Sequence, residues 1–116
     1  MAGYSLGVDI VDVPRIARLS RQRRFLARVF TPEEIAYCRG KKNASQHFAV
    51  RFAAKEAVYK ALGKSGVGHK EISVTNDARG KPSVLLAGRL KRLERRVALS
   101  LSHTADYAVA VAIYEA

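Results

Sequence analysis

The chain has 116 residues, 48% of them hydrophobic, and a formal net charge of +11, which calls for a partner dense in negative charge: nucleic acid, anionic lipid, a polyphosphate or an acidic protein. This length holds one domain, expected over residues 1–116, and a domain so small exposes much of its surface unless copies bury it against each other. No apolar run approaches the roughly 20 residues of a membrane helix, and Met1 to Ser20 lacks the pattern of a secretory signal, so a soluble, cytoplasmic protein is expected.

In YSLGVDIV the apolar Leu6, Val8 and Ile10 alternate with Gly7 and Asp9, which predicts a strand over Tyr4 to Val11. Asp12 can cap the next segment, Pro14 fits a first helical turn, and Ile16 and Leu19 share a face, predicting a helix from Val13 to Phe25. In TPEE, Thr31 is the cap, Pro32 the first helical position and Glu34 the returning arm of a capping box, for a short helix ending near Gly40. Cys38, the only cysteine, excludes an intramolecular disulfide or a cysteine zinc cluster and is read as structural.

The alanine-rich stretch from Gln46 to Leu62 predicts the longest helix, with Ser45 as its cap and Gly63 at a left-handed stop. EISVTN and PSVLLAG flank the turn DARGKP, where Gly80 takes positive φ and Pro82 begins the second strand of a hairpin. RLKRLERR reads as a short basic helix, and VALSLS and YAVAVAIY as two closing strands around HTAD. Without repeats or linkers, this order predicts an α+β fold: a single small domain with a long central helix packed on a mostly antiparallel sheet.

Two acids stand out. Asp9 interrupts an apolar strand, where it sits at an exposed strand end, pairs with an arginine or is compensated by a bound cation. Glu56 lies about 140° around its helix from Arg51 and about 100° from Lys55, and shares a face with Ala49, Ala53 and Lys60. It is either half of a surface pair with Lys60, worth about 0.3 to 0.5 kcal/mol, or part of an enclosed site. GKSGVG reads as a helix stop with a lysine placed where phosphates can lie, and His103 either caps a turn or donates to a phosphate; His47 and His69 have no evident role. Arg15, Arg18, Arg21, Arg23, Arg24 and Arg28 form a solvated basic face or a grip on carboxylates and phosphates.

GVDIVDVPRI, VFTPEE, RFAAKEAVYKALG, GKP and LSLSHTADYAVAVAIYE, in that order, resemble the holo-acyl-carrier-protein synthase family of phosphopantetheinyl transferases almost from end to end. The resemblance implies the 4'-phosphopantetheinyl transferase fold and transfer of phosphopantetheine from coenzyme A to a serine of an acidic acyl carrier protein, in support of fatty acid biosynthesis. It implies a magnesium ion held by Asp9 and Glu56, with Glu56 and Lys60 as the catalytic pair, Glu56 as base and Lys60 stabilising charge. Lys60, Gly63, Lys64, Pro82 and His103 are then expected along the coenzyme A site, and Arg15, Arg18, Arg21, Arg24 and Arg28 against the carrier. A homotrimer with sites between subunits is also implied. The chain departs from the family pattern with Lys64 and Ser65 at the KALG exit and Thr104 after His103. A small basic nucleic-acid-binding module is the alternative that charge alone favours.

Overall fold

The computed structural model describes residues 3–116. Strand β1 (Tyr4–Asp12) leads into α1 (Val13–Leu19), α2 (Arg23–Val29), α3 (Pro32–Arg39) and the long α4 (Ala44–Leu62). The chain continues through a 3-10 turn (His69–Glu71), β2 (Ile72–Asn76), β3 (Pro82–Leu86), a 3-10 helix (Gly88–Arg96), β4 (Val97–His103) and β5 (Tyr107–Glu115). A three-stranded sheet has the order β1-β5-β4 and a separate two-stranded sheet pairs β2 with β3, every pairing antiparallel.

Helix α4 lies on the inner face of the larger sheet. Its buried Ala49, Ala53, Ala54, Ala57 and Ala61 meet a sheet face whose central strand offers the buried Ala108, Ala110 and Ala112. Small residues on both sides permit a close approach, closest at Gly7: a Cβ there would overlap the Ala57 carbonyl oxygen and stand 2.7 Å from the Ala61 nitrogen.

The alternation in β1 is real, but the apolar set faces outward. Leu6, Val8 and Ile10 are 68%, 57% and 63% exposed, whereas Gly7 is buried and Asp9 half-buried on the helix side. A glycine where the helix comes closest leaves the inner face to the smaller set, so the apolar residues are left on the outside.

Local signals are mostly realised. The Asp12 carboxylate accepts from the Arg15 amide, and the Thr31–Glu34 capping box closes in both directions. Gly63 and Gly80 adopt φ of 63° and 82°. Two expectations are corrected. The helix expected from Val13 to Phe25 ends at Leu19, turns at Ser20–Gln22 and resumes as α2; the Gln22 amide bonds the Leu19 carbonyl, which redirects the chain and turns Leu26, Val29 and Phe30 into the core. Helix α4 starts at Ala44, so Ser45 lies inside its first turn, and Asn43 holds the cap position without a side-chain hydrogen bond. The short basic helix is present, of 3-10 type, and buries Leu90 and Leu93, three residues apart and so on one side of a three-residue turn.

Candidate active site

Helix α4 presents Glu56 and Lys60 one turn apart at the edge of its contact with β1. Lys60 does not fold back onto Glu56. Its Nζ donates to the Val8 carbonyl oxygen at 3.0 Å and to Asp9 Oδ1 at 3.1 Å, joining helix to strand across the close approach at Gly7. The Asp9 side chain is 16% exposed and that of Lys60 51%, so the acid is fixed while the ammonium reaches it from solvent.

Burial is the largest influence on Asp9 and raises its pKa; Lys60 opposes this, and the charge of Glu56 adds to it. Two carboxylates from separate elements therefore feel each other across a partly desolvated space. That space favours a cation.

Glu56 has a partner from outside its own helix. His69 Nε2 lies 2.7 Å from Glu56 Oε1, and the two line a cavity of about 230 Å³ with Lys55, Tyr59, Val67, Gly68 and Ile72. His69 follows a glycine in a short turn between α4 and β2, and no periodicity marks such a position.

Arg51 and Lys55, also on α4, are buried. Lys55 Nζ sits 2.6 Å from Glu34 Oε1 and donates to the carbonyls of His69 and Ile72; Glu34 Oε2 accepts from the Val74 amide. Arg51 donates to Asn76 Oδ1 at 2.6 Å and lies 4.0 Å from the centre of the Tyr37 ring. The alanines beside these residues on α4 hid their burial from a helix-face reading, because their partners come from α3 and β2.

The remaining candidates are dispersed within one chain. Gly63 and Lys64 line a cavity of about 470 Å³ with Ser65, Arg89, Leu90 and Arg92, while Pro82 borders another with Glu94 and Leu99. His103 ends β4, exposed, and near enough to His47 that its charge helps lower the His47 pKa, after burial, Arg51 and Lys41. Arg15, Arg18, Arg21, Arg23, Arg24 and Arg28 are all exposed on α1, α2 and the turn between them. Cys38 is buried and its thiol is pushed up to about 11, chiefly by desolvation, as suits a structural residue.

Known proteins resemble this chain along nearly its whole length. A holo-[acyl-carrier-protein] synthase of Geotalea daltonii is 46% identical over 97% of this chain and 98% of its own length, and one of Koribacter versatilis is 47% identical over 94% and 95%. The crystal structure of the Neisseria meningitidis holo-[acyl-carrier-protein] synthase superposes with a TM-score of 0.86 at 36% identity, covering 97% of this chain and 98% of that one. The Bacillus anthracis holo-(acyl-carrier-protein) synthase, solved in complex with CoA (3',5'-ADP), gives 0.82 at 34% identity, covering 97% and 96%. With residues 5–112 matching that family as well, the chain belongs to the 4'-phosphopantetheinyl transferase superfamily.

Proposed function

We propose that this chain transfers 4'-phosphopantetheine from coenzyme A to a serine of an apo acyl carrier protein, in support of fatty acid biosynthesis. The observation that carries the reading is the convergence of Asp9, Glu56 and Lys60 where α4 crosses β1. Relatives named for this activity and a related structure holding coenzyme A supply the substrates. The nucleic-acid reading, which rested on charge alone, gives way to them.

In the transfer, the serine oxygen bonds to the phosphorus that carries the pantetheine. The bond from that phosphorus to its bridging oxygen breaks, and adenosine 3',5'-bisphosphate leaves with the electron pair. Glu56 accepts the serine proton, directly or through water. Lys60, half exposed beside Asp9, can turn its ammonium to a phosphate oxygen and oppose the charge that develops there.

The donor set suits magnesium. Two carboxylates offer hard oxygen ligands and are too few to fill an octahedral shell, which leaves positions for water and substrate phosphate. Bound by Asp9 and Glu56, the ion would supply Lewis-acid charge neutralisation at the pyrophosphate.

Lys64 and Gly63 at the helix exit are proposed to follow the coenzyme A phosphates, with Pro82 and His103 completing that site. The dispersal of Lys64, Pro82 and His103 in one chain, together with the exposed apolar face of β1, supports a homotrimer in which neighbours complete each site. The exposed arginines of α1 and α2 are proposed to receive the acidic carrier in the cytoplasm. Among the described residues no helix is long and apolar enough to cross a membrane.

The test is incubation with coenzyme A, magnesium and an apo carrier protein, followed by mass spectrometry. A mass gain of one phosphopantetheine on the carrier is expected. No gain with any divalent metal overturns the proposal.

A further inference from the structure

We infer that His69 is a positioning residue for Glu56: its ring holds one carboxylate oxygen so that the other is presented to the metal. The inference rests on the metal site proposed above. An ionised carboxylate only accepts hydrogen bonds, so at 2.7 Å the proton between Glu56 Oε1 and His69 belongs to Nε2. Among the described residues no side chain or amide donates to Oε2, which is left for a ligand.

The imidazole is itself held on several sides. Its ring stacks on Phe52, centroids 5.8 Å apart and planes 19° from parallel. Its carbonyl accepts from Lys55 Nζ at 3.0 Å, and that lysine is buried and paired with Glu34. The turn carrying it is closed by the Gly68 amide donating to Glu71 Oε2 at 2.8 Å. Glu56, with its side chain 30% exposed on a helix surface, would otherwise exchange among rotamers. Hydrogen bonds to ligating groups fix their orientation, and losing one typically costs about 10- to 100-fold in metal affinity.

The experiment measures Mn2+ binding by electron paramagnetic resonance, without substrate or turnover, on the wild type, H69F, H69Q, H69L and D9N. Phenylalanine keeps the stack on Phe52 without the donor, and glutamine restores an N–H at similar reach. The dissociation constant of H69F is expected to rise about tenfold or more, with the circular dichroism spectrum and oligomeric state unchanged, while H69Q stays within a few-fold of wild type. If H69F does not fold, H69L supplies the same donor-free comparison. Wild-type Mn2+ affinity in the donor-free variant, with binding lost in D9N, would overturn the positioning role alone, as would H69Q binding as weakly as H69F. Wild-type affinity in D9N would instead overturn the metal reading on which the inference stands.

Discussion

Asp9 carries a carboxylate to the inner face of a sheet, and its raised pKa has a thermodynamic consequence. Between its ordinary value of 3.8 and the higher folded-state value, the folded chain binds more protons than the unfolded one. This group's contribution to stability is therefore fully present below pH 3.8 and is lost as pH rises through the folded value. Near neutral pH and in chelator, D9N should melt above the wild type. Added Mg2+ should raise the wild-type melting temperature and leave that of D9N unmoved, as differential scanning fluorimetry can check. At this scale the two acids were legible because each breaks a local pattern, an acid in an apolar strand and an acid on a face of alanines. His69 was not, since a histidine in a short turn breaks none.

Elements are joined by polar residues as much as by alanines. Glu34 was legible as the third residue of a helix capped by Thr31, and it also accepts from Lys55 of α4 and the Val74 amide of β2. Burial lowers the Lys55 pKa, which Glu34 counteracts. Replacing Lys55 with methionine leaves the Glu34 carboxylate buried without its cation and should cost about 3–5 kcal/mol in urea denaturation. The K55M/E34Q double variant should recover part of that loss, and additive losses would show that the pair does not act as a unit. The contact between α4 and β1 can be tested separately with G7A. Its methyl meets helix backbone, which cannot move aside as a side chain can, so a loss of about 3 kcal/mol is expected, together with weaker divalent-ion binding as Lys60 and Asp9 are pushed apart.

The whole molecule presents an apolar face and a basic one. Leu6, Val8 and Ile10 on β1, with Val111 and Ile113 on β5, are exposed together on the outer side of the sheet, in a register that places Val8 opposite Val111 and Leu6 opposite Ile113. In the proposed trimer this face is covered. L6E/I113E should run as a monomer in sedimentation velocity and lose transferase activity while keeping its secondary structure; a monomeric wild type would sink the assembly. On the basic side, R15E/R24E should raise the KM for the carrier and spare coenzyme A affinity, because exposed charges steer an acidic protein without touching the nucleotide. Equal weakening toward both substrates would count against that division.

By itself the sequence determined whatever depends on residues within a turn or two of one another: the capping box at Thr31 and Glu34, the left-handed helix stop at Gly63, the positive φ of Gly80 in the hairpin of β2 and β3, and the order of motifs that marks the superfamily. Only the tertiary structure decided which face of β1 is buried, that Lys60 reaches Asp9 across 51 positions, and that Glu56 meets His69. The physical reason is that alternation says which side chains share a face but not which face a helix will cover. That choice was made by the alanines of α4 and the missing side chain of Gly7, which let two backbones approach closely enough for Lys60 to reach Asp9 and for Asp9 to feel the charge of Glu56.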